Sequence, residues 1–315
     1  MQCPSIICGE LNRKCWHMIS LVPNGIHKNK NVLYIIGNGF DLAHDMKTSY
    51  EDFHQWLLDN GESSAVNRIE SLYPNITNNE GRWCDVESAL GSITLEEAIN
   101  YDRIFQECSD EINCEDSSHD AYRCGEKLKN VVDILPCLLK SWVASISTKD
   151  ISPKFEIIKD AKFLSFNYTR TLEDAYQIKT DNILHIHETI IENRPLVVGY
   201  GDAIFEYDDY VPDEDIIDVE LIKNLLSHNR KPVGAILKET KPKEWFKGLN
   251  EIESVIIYGH SCSKVDKPYF ETVVKNVKPN AHWTFFVHDE NKNKSIEKFA
   301  KSILKDTMSF EITNQ

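Results

Sequence analysis

Short apolar runs recur along the chain, and each breaks into a polar or glycine-containing cluster. Val32–Ile36 runs into Gly37-Asn38-Gly39-Phe40-Asp41, Ala161–Phe166 into Asn167-Tyr168-Thr169, and Ile183–Ile186 into His187. Leu196–Val198 runs into Gly199-Tyr200-Gly201-Asp202, Ser254–Tyr258 into Gly259-His260-Ser261, and Trp283–Val287 into His288-Asp289. Their residues are β-branched or aromatic and mostly apolar at successive positions. A strand of a parallel sheet, buried on both faces, reads this way. Helical spacing falls between the runs. Thr48 and Ser49 can cap a helix carrying Tyr50, Phe53, Trp56 and Leu57. Thr169 or Thr171 can start a second, and Lys267-Pro268 leads into a third. Strands alternating with helices predict an α/β, doubly wound, mainly parallel sheet of Rossmann-like type.

Residues 62–150 depart from this rhythm. Their Leu, Ile and Val fall at helical spacing among many charges, so they read as a helical insertion or cap on an α/β domain spanning 31–315. Residues 1–30 show no clear periodicity and read as a peripheral segment. Glu206–Glu220 reads as an acidic surface stretch.

The clusters matter because an open parallel sheet binds its ligands outside the carboxyl ends of its strands, near the point where strand order reverses. All six are expected on that edge. In Gly37-Asn38-Gly39-Phe40-Asp41 the glycines would let backbone N–H groups approach a phosphate, or would only make a tight turn. It is not the full dinucleotide fingerprint, because Leu42 stands where a third glycine would. Asp41 could hold a ribose hydroxyl or cap the turn. Asn167 carries a donor and an acceptor suited to a ligand carboxamide or a water, or it caps the next helix. His187, nearer the strand end than His185, is placed to act as a base. Gly259, His260 and Ser261 offer a second close backbone approach, and Asp266 could accept from a ligand hydroxyl. In the helical region Asp85 and Glu87 read as a solvated face, with Trp83 and Glu87 as candidates for closing the pocket.

Composition narrows the classes. The net charge of −15 over 315 residues repels a nucleic-acid backbone and argues against broad DNA or RNA binding. Hydrophobic content of 41% is enough for a core. The nine cysteines are odd in number and follow no leader-like segment, and no apolar run reaches the roughly 18 residues of a membrane span. Reduced thiols in a cytoplasmic protein are the expectation. Cys3, Cys8 and Cys15 with His17 fit no common zinc spacing, and no resident metal is expected.

The longer phrases carry a resemblance. "YIIGNGFDLAHDMKTSYEDF", "FLSFNYTRTLEDAY", "ILHIH" and "IIYGHSCSKVDKPYF" resemble the AbiH family of bacterial abortive-infection proteins, from residue 31 to about 290. More distantly, the order Gly37/Gly39, Asn167, His187, Gly259/Ser261 is similar to sirtuin-like NAD-binding domains. That likeness implies NAD as ligand or substrate, with Asn167 and His187 carrying its cleavage. Gly37, Asn38, Gly39, Phe40, Asp41, Thr169, Gly259, His260, Ser261 and Asp266 would bind it. Two positions depart from the sirtuin-like pattern: Thr169 stands for an Asp and Glu188 for a Gly. The paired CxxC zinc module is absent. An anti-phage NAD hydrolase is the leading expectation. A nucleotide sensor without catalysis is the second. A metal-dependent phosphoesterase or nuclease using His185, His187, His260, Asp202 and Asp266 is the third. The expected partners are a nucleotide, a second copy of the chain and a phage-derived trigger, with no membrane.

Overall fold

Five of the six apolar runs form strands of one parallel sheet, and a sixth strand comes from elsewhere. The computed structural model describes residues 19–22, 31–98, 100–101, 117–189, 196–201 and 219–314. The strands are β1 Val32–Ile36, β2 Lys162–Ser165, β3 Ile183–His185, β4 Ser254–Tyr258, β5 His282–Val287 and β6 Ser309–Asn314. They lie in the order β3-β2-β1-β4-β5-β6, and every pair is parallel. This is the Rossmann strand order, and its direction reverses between β1 and β4.

The run Leu196–Val198 is a correction. It is not a strand; nearby, Tyr200 makes an isolated bridge with Arg230. Leu196 and Val198 are buried in the helical core, and burial of that kind leaves the same apolar run as a strand does. The strand that the pattern missed, β6, is an edge strand with exposed and half-buried positions, so it lacks the apolar signature of its neighbours.

Alternation puts the β1 side chains on both faces. Leu33 and Ile35 join Leu164, Val255, Ile257, Trp283 and Phe285 under α10 (Lys267–Asn276) and α11 (Asn293–Ile303). Val32, Tyr34 and Ile36 pack with Phe163 and Ile256 on the other face. That face also takes Leu21, 1% exposed, whose carbonyl accepts from the Tyr34 hydroxyl at 3.2 Å. Ile19–Ser20 pairs in parallel with Phe155–Glu156. The end of the segment read as peripheral is therefore pinned to the sheet layer. Cys3, Cys8, Cys15 and His17 lie outside the described residues, as do Asp202 and most of Glu206–Glu220.

A third core belongs to the helices. It gathers α2 (Tyr50–Asp59), α3 (Ser63–Leu72), α4 (Val86–Ser92) and the later part of α5 (Ser117–Ser145) around Phe53, Trp83 and Trp142. Leu225 and Leu226 of α7 (Val219–Ser227) complete it. α2 starts as its sequence predicts. The Ser49 hydroxyl accepts from the Asp52 N–H at 3.1 Å, and the Asp52 carboxylate accepts from the Ser49 N–H at 3.0 Å. Such a box contributes about 1 kcal/mol. Among the described residues no helix is long and apolar enough to cross a membrane.

Candidate functional site

The turns after β1 and β4 meet backbone to backbone at the switch point. The Gly37 N–H donates to the Tyr258 carbonyl at 3.0 Å, and the Gly39 N–H donates to the Gly259 carbonyl at 2.8 Å. A Cβ on Gly37 would lie 2.6 Å from the Gly259 oxygen, and one on Gly39 2.6 Å from the Gly259 Cα. Gly259 itself has φ +68 and sits in the left-handed region that favours glycine. The glycines thus serve the contact between two loops. The N–H groups of Gly37 and Gly39 are engaged there.

Asp41 and Phe40 also have structural duties. Phe40 lies in the core, beside Phe155 and Tyr176, away from the cavity. The Asp41 carboxylate accepts from the Thr169 and Thr171 hydroxyls, at 2.5 and 2.7 Å, and from the Asn167 amide. It is 1% exposed, and burial raises its pKa against those bonds. The network ties the β1 turn to the β2 turn. It also accounts for Thr169: a carboxylate there would face that of Asp41 with both desolvated. Glu188, the second departure, holds φ +67, a conformation that costs a side-chain-bearing residue about 1–2 kcal/mol.

Asn167 and His187 arrive at the cavity from the ends of β2 and β3. They are 6% and 3% exposed. The Asn167 Oδ1 and the His187 Nε2 have no hydrogen-bond partner, and neither does the Thr48 hydroxyl. All three residues line one cavity of about 440 Å³. Gly37, Asn38, Asp41, Thr169, Gly259, His260, Ser261 and Asp266 line it too. Gly39 does not; it lines a neighbouring cavity. Asn38 steadies the wall, its amide donating to the Thr48 carbonyl at 2.7 Å. His185 stays outside, its two ring nitrogens beside the Asn167 carbonyl at 3.2 Å and Glu173 at 3.3 Å. Unmet buried polar atoms are rare in folded proteins, and three of those found here belong to residues that line this one cavity.

Behind them lies a buried charge cluster that sequence reasoning only half found. Asp266 Oδ1 is 3.8 Å from His187 Nε2 and 3.4 Å from Lys231 Nζ, and its Oδ2 is 3.6 Å from His260 Nε2. Lys231, 2% exposed, also pairs with Glu87 of α4 at 2.8 Å. Neither Lys231 nor Thr48 was singled out as a site residue, and nothing in the local sequence around Lys231 marks it. The helical region closes the cavity through Glu87, Trp142 and Val143. Trp83 does not reach it. Its indole N–H donates to Glu70 at 2.8 Å within the helical core.

The electrostatics follow from burial. Desolvation first, then the Lys231 ammonium, holds His187 well below the ordinary histidine range, so its imidazole is neutral near pH 7. Desolvation brings His260 down to about 4. Its Nδ1 accepts from the Cys262 N–H at 2.9 Å, so Nε2 carries the proton. Burial works against Asp266 ionising, yet Lys231, His260 and His187 together hold its pKa below the usual carboxyl value. Burial pushes Cys262 up to about 12, which leaves it a thiol and not a nucleophile. Among the described residues no group of three or more His, Cys, Asp or Glu side chains could hold a metal ion.

No curated protein matches the chain. The likeness to sirtuin-like domains rests on motif order and gains no support from these comparisons. The model of the family described as bacteriophage abortive infection AbiH matches residues 33–287, most of the chain, and the protein belongs to that family.

Proposed function

We propose that this AbiH protein binds a nucleotide in the cavity at the switch point and hydrolyses the nicotinamide–ribose bond of NAD. Family membership gives it a role in bacterial abortive infection, the defence against phage. Loss of NAD would be the output of that defence. The observation that carries the reading is the pair of buried, unpartnered atoms, Asn167 Oδ1 and His187 Nε2, on one cavity. Asn167 Oδ1 can accept from the carboxamide of nicotinamide or from an attacking water. The neutral His187 can take a proton from that water, and Asp266, 3.8 Å away, stabilises the imidazolium that results. Nicotinamide leaves as a neutral molecule and needs no general acid. The ribose carbon becomes oxocarbenium-like, and the nearby carboxylates favour its positive charge. Water adds its hydroxyl to that carbon, and its proton passes through His187 to solvent.

The test is nicotinamide release from NAD by purified protein, with and without extract from infected cells. Asn167→Ala and His187→Ala are each expected to lower the rate by at least about 100-fold while the melting temperature holds. Unchanged rates in both would refute the assignment. The second reading, a sensor, is favoured by the Glu87–Lys231 contact, which links the helical cap to the cavity wall. It is supported if nucleotides raise the melting temperature without any release of nicotinamide.

A further inference from the structure

A dinucleotide carries phosphates, and the first glycine loop does not present its Gly37 and Gly39 N–H groups to receive them. Two lysines line the main cavity. Lys231 is held between Glu87 and Asp266. Lys292 is exposed at the start of α11, and its ammonium is in no ion pair among the described residues. It also lines a second cavity of about 480 Å³. The two cavities adjoin across the β4 turn and share Leu42, Gly259, His260, Ser261 and Lys292. Tyr258 and Phe286 wall the second one, their ring centroids 6.1 Å apart, and Asp289 lines it too, its Oδ1 accepting from the Asn291 N–H at 3.0 Å. Each cavity is of a size that takes a nucleoside.

We infer that the ligand is two-ended. One half lies in the polar cavity against Asn167 and His187. Its phosphate bridge crosses the Gly259–Ser261 turn against Lys292, and its second base rests on Tyr258 and Phe286. The arrangement fits a dinucleotide crossing the switch point between β1 and β4. It rests on the nucleotide reading above and adds Lys292 as the phosphate contact.

Lys292→Glu tests it, because an exposed residue can be changed without disturbing the core. Calorimetric titration of the full chain would use NAD, ADP and nicotinamide riboside, with melting of the unliganded variant as the control. The variant is expected to bind NAD and ADP at least about tenfold more weakly and the phosphate-free probe, the riboside, no more weakly than the wild type does. NAD and ADP bound equally by both proteins, or all three probes weakened alike, would overturn the inference. ADP binding that depends on Lys292, without cleavage of NAD, would keep the inference and remove the hydrolase. If the wild-type chain bound none of the probes, both would fall.

Discussion

Gly259→Ala is expected to cost about 4 kcal/mol or more and to lower the melting temperature by about 10 °C. Two effects combine at this position. Alanine at φ +68 is strained, and its Cβ would lie 2.3 Å from the Phe40 backbone nitrogen. Neither loop can yield, because Gly39 and Gly37 bond directly to the β4 turn. The loss would be a large share of the roughly 5–15 kcal/mol that keeps a domain folded. Two controls separate the terms. Gly61→Ala carries the strain alone, since Gly61 has φ +80 and nothing within 4 Å. Gly37→Ala carries the clash without a positive φ. Thermal or urea melting of the three variants checks the order: Gly259 worst, Gly37 next, Gly61 near 1 kcal/mol. A Gly259→Ala protein as stable as Gly61→Ala would show that the two turns are not in contact.

Lys231→Met is expected to lose about 3–5 kcal/mol, because it leaves Glu87 and Asp266 buried without their shared cation. The pH dependence has a defined sign. In the wild type, burial pulls the Lys231 pKa down, but the Glu87 and Asp266 carboxylates outweigh it and hold the value above the usual lysine one. That contribution is complete at neutral pH and lost only as the pH rises through the raised value. Asp266 is held low, so its contribution is lost on acidification. Burial raises Glu87 even with the ammonium present. Removing the ammonium raises Glu87 further and lets the Asp266 pKa rise as well. A carboxyl whose folded pKa lies above its unfolded value is destabilised as the pH rises past the unfolded one. The deficit of Lys231→Met should therefore be larger at pH 8 than at pH 5. Adding Glu87→Gln should recover part of it. A deficit that is flat between those pH values would contradict the charge cluster.

The sequence by itself determined the layer architecture and the sheet edge that carries the cavity. Central parallel strands are buried on both faces, so their apolar runs stand out, and the polar residues that follow each run mark the carboxyl ends. Val32–Ile36 and Ser254–Tyr258 are read directly, and Asn167, His187 and Asp266 are found on the cavity they were expected to line. The Ser49 cap is equally local, since its partner is three residues away.

Only the tertiary structure decided the rest, because it depends on residues distant in the chain. Edge strand β6 and the non-strand Leu196–Val198 exchange their expected patterns because burial, not propensity, sets apolar content. The glycines of the first turn answer to Gly259, and no local pattern reports that two loops touch. Lys231 gains its meaning from Glu87 and Asp266, one on a cap helix and one before α10. A lysine in a sequence is expected in solvent. Folding buries this one between two carboxylates, whereas Lys292, also on the cavity wall, stays exposed.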